Sequence, residues 1–232
     1  MRTRTGEDRD TNVLREINLL KDYPQPAERI VGLRTIKHRI MASYRGYEFF
    51  DGDRNCGYGG LKYDGRWKPV AEAMAKEYNL SSASSVLQIN PEKGFLLKEF
   101  KLLSPYMRLC GIEPSSYARR HAPEEIRENL ISQWDKDMNP FDLVIAIGVV
   151  YTLNLGDAIQ LLRRLDKLAF RQFITLASYD TEEDLRLYRK WTLLGTTVIL
   201  KKDEWVEVMQ HSNYEGDYCF INAETLRLRD SS

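Results

Sequence analysis

Residues 141–148 read Phe-Asp-Leu-Val-Ile-Ala-Ile-Gly. Only Asp142 interrupts the apolar run, so a strand built from it is buried on both faces, as at the centre of a parallel sheet. Outward from this stretch, apolar runs alternate with amphipathic ones. On the N-terminal side, Ser85–Ile89 (SVLQI) reads as a strand, residues 94–103 as a helix, residues 108–113 (RLCGIE) as a strand and residues 115–121 as a helix start. On the C-terminal side, residues 157–168 read as a helix and 172–178 as a strand. A helix over 181–194 follows, with Glu182 and Glu183 in its first turn, then one over 203–211 capped by Asp203. Residues 197–200 and 218–223 read as a final strand pair. Repeated strand–helix–strand spacing predicts a parallel sheet with helices on both faces, in a domain over 84–232.

Residues 1–83 read as a separate extension. The first eleven are polar. Val13, Leu14, Ile17 and Leu20 give a helical face over 11–21, ended by Tyr23-Pro24-Gln25-Pro26. A second helix is expected over 27–44, with Ile30, Leu33, Ile36 and Ile40 at helical spacing. It carries Arg29, Arg34, Lys37 and Arg39, with Arg45 just beyond, against Glu28 alone. This reads either as a solvated face or as a docking surface for a phosphorylated or anionic substrate. Residues 49–67, FFDGDRNCGYGGLKYDGRW, hold five glycines and five aromatics, a composition that suits close backbone approach to a ligand under flat aromatic walls, or a packing loop. A helix over 68–78 follows, with Val70, Ala71, Met74 and Ala75 apolar.

Of the 232 residues 43% are hydrophobic and 29% charged, enough for a sizeable core. Lys and Arg balance Asp and Glu at 34 each, so no global field draws the chain to nucleic acid or to an anionic membrane. No apolar run approaches the length of a bilayer span, and the charged first ten residues lack a secretion signal. Cys56, Cys110 and Cys219 stand alone, which fits reduced cytoplasmic thiols and neither a disulfide framework nor a metal site.

Residues 86–96, Val-Leu-Gln-Ile-Asn-Pro-Glu-Lys-Gly-Phe-Leu, resemble the first strand and glycine-rich loop of class I S-adenosylmethionine (SAM) methyltransferases. There an acidic residue ends the strand and a Gly-x-Gly-x-Gly loop leads into a helix. Here Gln88 stands at the acid's position, Asn90 and Glu92 at the first two glycines, and Gly94 at the third. Cys110-Gly111-Ile112-Glu113 resembles the end of the family's second strand, whose acid receives the cofactor ribose. The segment 50–67 is similar to the N-terminal segment of the small-molecule subgroup, and residues 191–226 to its last helix and antiparallel strand pair. No Asn-Pro-Pro-aromatic signature follows residues 141–148, which speaks against nucleic-acid amino methylation.

The resemblance implies a Rossmann-like fold, mostly parallel with an antiparallel C-terminal strand. It implies SAM as cofactor, held by Gln88, Asn90, Gly94, Glu113 and Tyr58 in a degenerate motif. Tyr63, Arg66 and Tyr151 would line the substrate pocket. No general base stands out; His38, His121 and Asp180 are the candidates. The expected activity is methyl transfer to a small metabolite. The alternative is a catalytically inactive methyltransferase-like protein that supports a protein partner or a homo-oligomer, and a third reading keeps the fold for another nucleotide-like ligand.

Overall fold

The apolar run at 141–148 forms a strand over Phe141–Ala146, with only Asp142 less than fully buried. Leu143 and Ile145 enter one core and Val144 and Ala146 the other, the period-two alternation of a central strand. The computed structural model describes residues 14–32, 34–134, 138–194 and 198–230. Its strands are β1 (Arg15–Glu16), β2 (Arg29–Val31), β3 (Ser85–Ile89), β4 (Arg108–Ile112), β5 (Leu130–Ile131), β6 (Phe141–Ala146), β7 (Ala169–Ala177), β8 (Asp217–Ile221) and β9 (Leu228–Asp230). Its helices are α1 (Ile36–Ser43), α2 (Tyr47–Phe50), α3 (Lys68–Glu77), α4 (Phe95–Leu103), α5 (Ser116–Arg120), α6 (Glu124–Arg127), α7 (Leu155–Leu168), α8 (Glu182–Trp191) and α9 (Lys202–His211).

Seven strands form one sheet in the order β1-β8-β7-β6-β3-β4-β5. From β5 inward and out again to β8 this is the doubly wound, Rossmann-like order, with the switch point between β3 and β6. Helices α3 and α4 cover one face through Val70, Met74, Leu97 and Phe100. Helices α7 and α9 cover the other through Leu162, Leu165, Trp205 and Met209. Asp142 is structural: its carboxylate accepts the Ser85 N–H at 2.7 Å and the Ser85 hydroxyl at 2.8 Å, which locks the starts of β3 and β6 together. Among the described residues no helix is long and apolar enough to cross a membrane.

Among the described residues the antiparallel C-terminal strand is not found. β8 runs parallel to β7, from Phe173 opposite Asp217 to Ala177 opposite Ile221, and every other pairing in the sheet is parallel too. The connection explains this. α9 occupies the link between β7 and β8, and a helix-sized crossover returns the chain to the same end of the sheet. Leu200, expected to pair with residues 218–223, instead bridges Ser178 in parallel.

The N-terminal helices are also corrected. Arg15 and Glu16 form the sheet's edge strand against β8, and Arg29–Val31 pairs with β9 in a second, two-stranded sheet. Only Ile36–Ser43 of the second expected helix is helical, and there Ile36 and Ile40 face outward, 72% and 49% exposed. Val13, Leu33 and Thr197 lie outside the described residues.

Candidate functional site

β3 ends at Ile89 and the chain turns at once. The Asn90 N–H donates to the Ile112 carbonyl at 2.8 Å, tying the turn to the end of β4. Three alternate residues then take left-handed backbone: Asn90 at φ 48°, Glu92 at 59° and Gly94 at 76°. The conformation suited to glycine at all three positions is therefore kept, although two of them carry side chains. Asn adopts it readily, whereas Glu does so at a cost of roughly 1–2 kcal/mol. A side chain at Gly94 would be strained at this φ, and its Cβ, 2.5 Å from Ile126 Cδ1, would push the Ile126 side chain aside. The loop delivers the chain into α4.

Glu113 holds this loop. It is fully buried. Its Oε2 accepts the Glu92 N–H at 2.8 Å and pairs with Arg45 at 3.4 Å, and its Oε1 accepts the Ser115 N–H at 2.8 Å. The Glu92 carboxylate in turn accepts a hydrogen bond from the Tyr58 hydroxyl. Burial pushes the Glu92 carboxyl up to about 7; the Arg45 charge and the Tyr58 bond oppose the rise, and Glu113 adds to it.

Tyr58 belongs to the Gly/aromatic segment, which doubles back on α2. The Tyr58 N–H donates to Phe49 O at 2.8 Å and the Leu61 N–H to Phe50 O at 2.9 Å. Gly57 permits this closure, since a Cβ would lie 1.9 Å from Phe49 O. The Phe50 ring stacks with Tyr58 at 6.3 Å and with Tyr117 at 6.0 Å. Lys93 pins the cap to the β3–α4 loop: its ammonium donates to both Asp51 oxygens at 2.7 Å and to Leu61 O at 2.8 Å. Burial works against the Asp51 charge, but Lys93 and the Tyr117 hydroxyl hold that carboxyl below its ordinary value.

These elements enclose a cavity of about 640 Å³ at the carboxyl ends of β3 and β6. That size suits a small-molecule site, and the switch point of a doubly wound sheet is where ligands bind. Gln88, Asn90, Tyr58, Arg66 and Tyr151 line it. Gln88 Oε1 and Arg45 Nε, both on lining residues, are buried without a protein partner among the described residues. Buried polar atoms of this kind call for a partner. Burial raises the Tyr151 phenol to about 12, so it stays a neutral donor.

Gly94, Glu113 and Tyr63 do not line the cavity. Tyr63 packs edge-on against Phe95 at 5.7 Å under the Lys98 ammonium. Nor do the three candidate bases. His38 Nδ1 accepts the Thr35 N–H at 3.1 Å, His121 stacks on Tyr117 at 3.9 Å, and Asp180 is exposed beside Lys202. Sequence reasoning missed Lys93 at this site and saw Arg45 only as part of the basic stretch after residue 27. The Lys93–Asp51 pair spans 42 residues, and no local signal announces it.

No protein-family profile and no curated protein matches the chain. Solved structures similar to it include the YcgJ protein from Bacillus subtilis (15% identity, TM-score 0.48, 61% of this chain and 66% of that one). TnmH is 17% identical at a TM-score of 0.46, over 63% of this chain and 49% of its own. The mitomycin 7-O-methyltransferase MmcR is 14% identical at a TM-score of 0.45, over 63% and 50%. The chain thus spans about half the length of TnmH and MmcR.

Proposed function

We propose that this chain transfers a methyl group from SAM to a small-molecule metabolite. The observation that carries the proposal is the loop at 90–94, whose left-handed backbone at alternate residues leads into α4 beside the cavity. SAM would supply an electrophilic methyl group on a sulfonium centre. The unpartnered Gln88 Oε1 fits the cofactor's ammonium group as an acceptor, and the loop backbone lies beside it. Tyr58 and Tyr151 would wall the reacting groups and exclude water. Glu92, with a carboxyl near neutrality, suits the role of general base toward an acceptor hydroxyl or amine: the proton would pass from the nucleophile to its carboxylate. Glu113 would reach a ribose only by sharing an oxygen that now receives the Glu92 amide. The free cysteines favour a cytoplasmic setting.

Isothermal titration with SAM and with its demethylated product tests this. Micromolar binding that Gln88→Ala weakens supports it; absence of binding at millimolar SAM refutes it. One feature favours a second reading, an inactive methyltransferase-like partner: Glu113 is buried behind the loop with both oxygens engaged. On that reading the triple variant Gln88→Asp, Asn90→Gly, Glu92→Gly creates SAM binding that the native chain lacks.

A further inference from the structure

Among the described residues the cavity is lined by nine Lys and Arg side chains and by only two carboxylates, Glu92 and Glu224, in a chain of zero net charge. Three of these cations are matched within the protein: Lys93 by Asp51, Arg45 by Glu113 and Arg66 by Asp64. Arg29, Arg34 and Arg54 pair with no carboxylate among the described residues. Neutral oxygens fasten them instead. Arg29 donates to Leu226 O at 2.6 Å and to Gln25 Oε1 at 2.7 Å, Arg34 to Trp191 O, and Arg54 to Gly57 O.

The three come from separate parts of the chain, namely β2, the turn before α1 and the Gly/aromatic cap, and they converge. The Arg34 and Arg54 guanidiniums lie 4.6 and 5.3 Å from the centre of the Trp191 ring. Burial lowers the pKa of all three, Arg34 to about 10, and the Arg54 charge lowers those of Arg29 and Arg34 further. Half-buried guanidiniums that repel one another destabilise the empty fold. An anion set among them would remove that penalty, and guanidinium forks match phosphate oxygens in geometry as well as charge.

We infer that Arg29, Arg34 and Arg54 form a phosphate-binding site within the cavity, so that its ligand is a small phosphorylated molecule. That this ligand is the methyl acceptor rests on the function proposed above; the anion site itself does not.

The test is titration calorimetry and thermal unfolding of the full chain with inorganic phosphate and with pyrophosphate, at constant ionic strength and against potassium chloride. We expect both anions to bind and raise Tm at about 10 mM, a concentration that saturates even millimolar sites. Arg54→Gln and, on a different segment, Arg34→Gln should each weaken binding about tenfold or more, the effect of losing one charge-assisted contact. Arg54→Lys should restore part of it. Without anion, both Gln variants should be at least as stable as the native chain. The inference is overturned if the native chain responds no more to phosphate or pyrophosphate than to chloride. It is equally overturned if both Gln variants bind the anions as the native chain does, or lose stability while keeping the anion response. A chain that binds pyrophosphate but not SAM would retain the anion site and sink only the methyl-transfer reading.

Discussion

Replacing Glu92 by Gln changes a proton and little else. In the folded chain this carboxyl sits at about 7, against an ordinary 4.5, because burial disfavours its charge by more than Arg45 and the Tyr58 hydroxyl recover. The native state therefore keeps a proton that the unfolded chain has already released. Stability must fall as pH rises from about 4.5 to about 7 and stay level above that. At 1.36 kcal/mol per pH unit the decline is at most about 3 kcal/mol. Glu92 faces a cavity open to solvent, so a loss of about 1–2 kcal/mol is the working figure. Gln cannot ionise and escapes this loss. Urea unfolding of both proteins in half-unit steps across the window measures it, at fixed ionic strength. The Glu92→Gln protein should gain on the native one by about 1–2 kcal/mol between the acid and neutral ends. A stability difference that stays constant with pH would refute the assignment of a neutral, protonated Glu92 below pH 7.

Lys93→Met removes the pin between the cap and the β3–α4 loop and strands Asp51; it should cost about 2–4 kcal/mol in chemical denaturation, and a cost within about 0.5 kcal/mol would mean the pair is decorative. Gly57→Ala drives a methyl into Phe49 O; the loop must open, so Tyr58 should become protease-accessible and Tm should drop by several degrees. Trp205→Phe loses the Nε1–H bond to Ala177 O at 2.7 Å and leaves a small void, an expected loss of about 1–3 kcal/mol by thermal unfolding. Asn90→Val forces a β-branched residue into left-handed backbone and should cost about 1–2 kcal/mol by urea unfolding, whereas Asn90→Gly should be close to neutral.

The central sheet was legible because its signals are local. β3 spans the same five residues read from the sequence, and the run at 141–148 stops as a strand at Ala146, where Gly148 takes φ 71°. The N-terminal segment misled because its pairing is remote. Arg29–Val31 joins Leu228–Asp230, and Ile36 and Ile40, whose spacing signals a helix face, point to solvent. The direction of β8 was misread because the resemblance implied an antiparallel last strand, although the helix read over 203–211 already gave a crossover long enough for a parallel one. At the site, Gln88, Asn90, Tyr58, Arg66 and Tyr151, which sequence reasoning singled out, all line the cavity. Glu113 was found as the acid at a strand end, but not its bond to the Glu92 amide. That bond depends on a loop conformation that a sequence without the two glycines does not advertise.

The pairing of β1 with β8 and of β2 with β9 sets a timetable for biosynthesis. Arg15 waits for Asp217, a partner 202 residues later, and Arg29 waits for Leu226, 197 later. The segment between those two arginines supplies part of the cavity wall. On the ribosome, this stretch must stay unattached until β8 and β9 have emerged. Closing so long a loop is slow. The inner strands β3 to β7 can assemble earlier, as a nascent intermediate that lacks its edge and has no complete binding chamber. A chain arrested before β8 should therefore be recognisable to chaperones and unable to capture ligand.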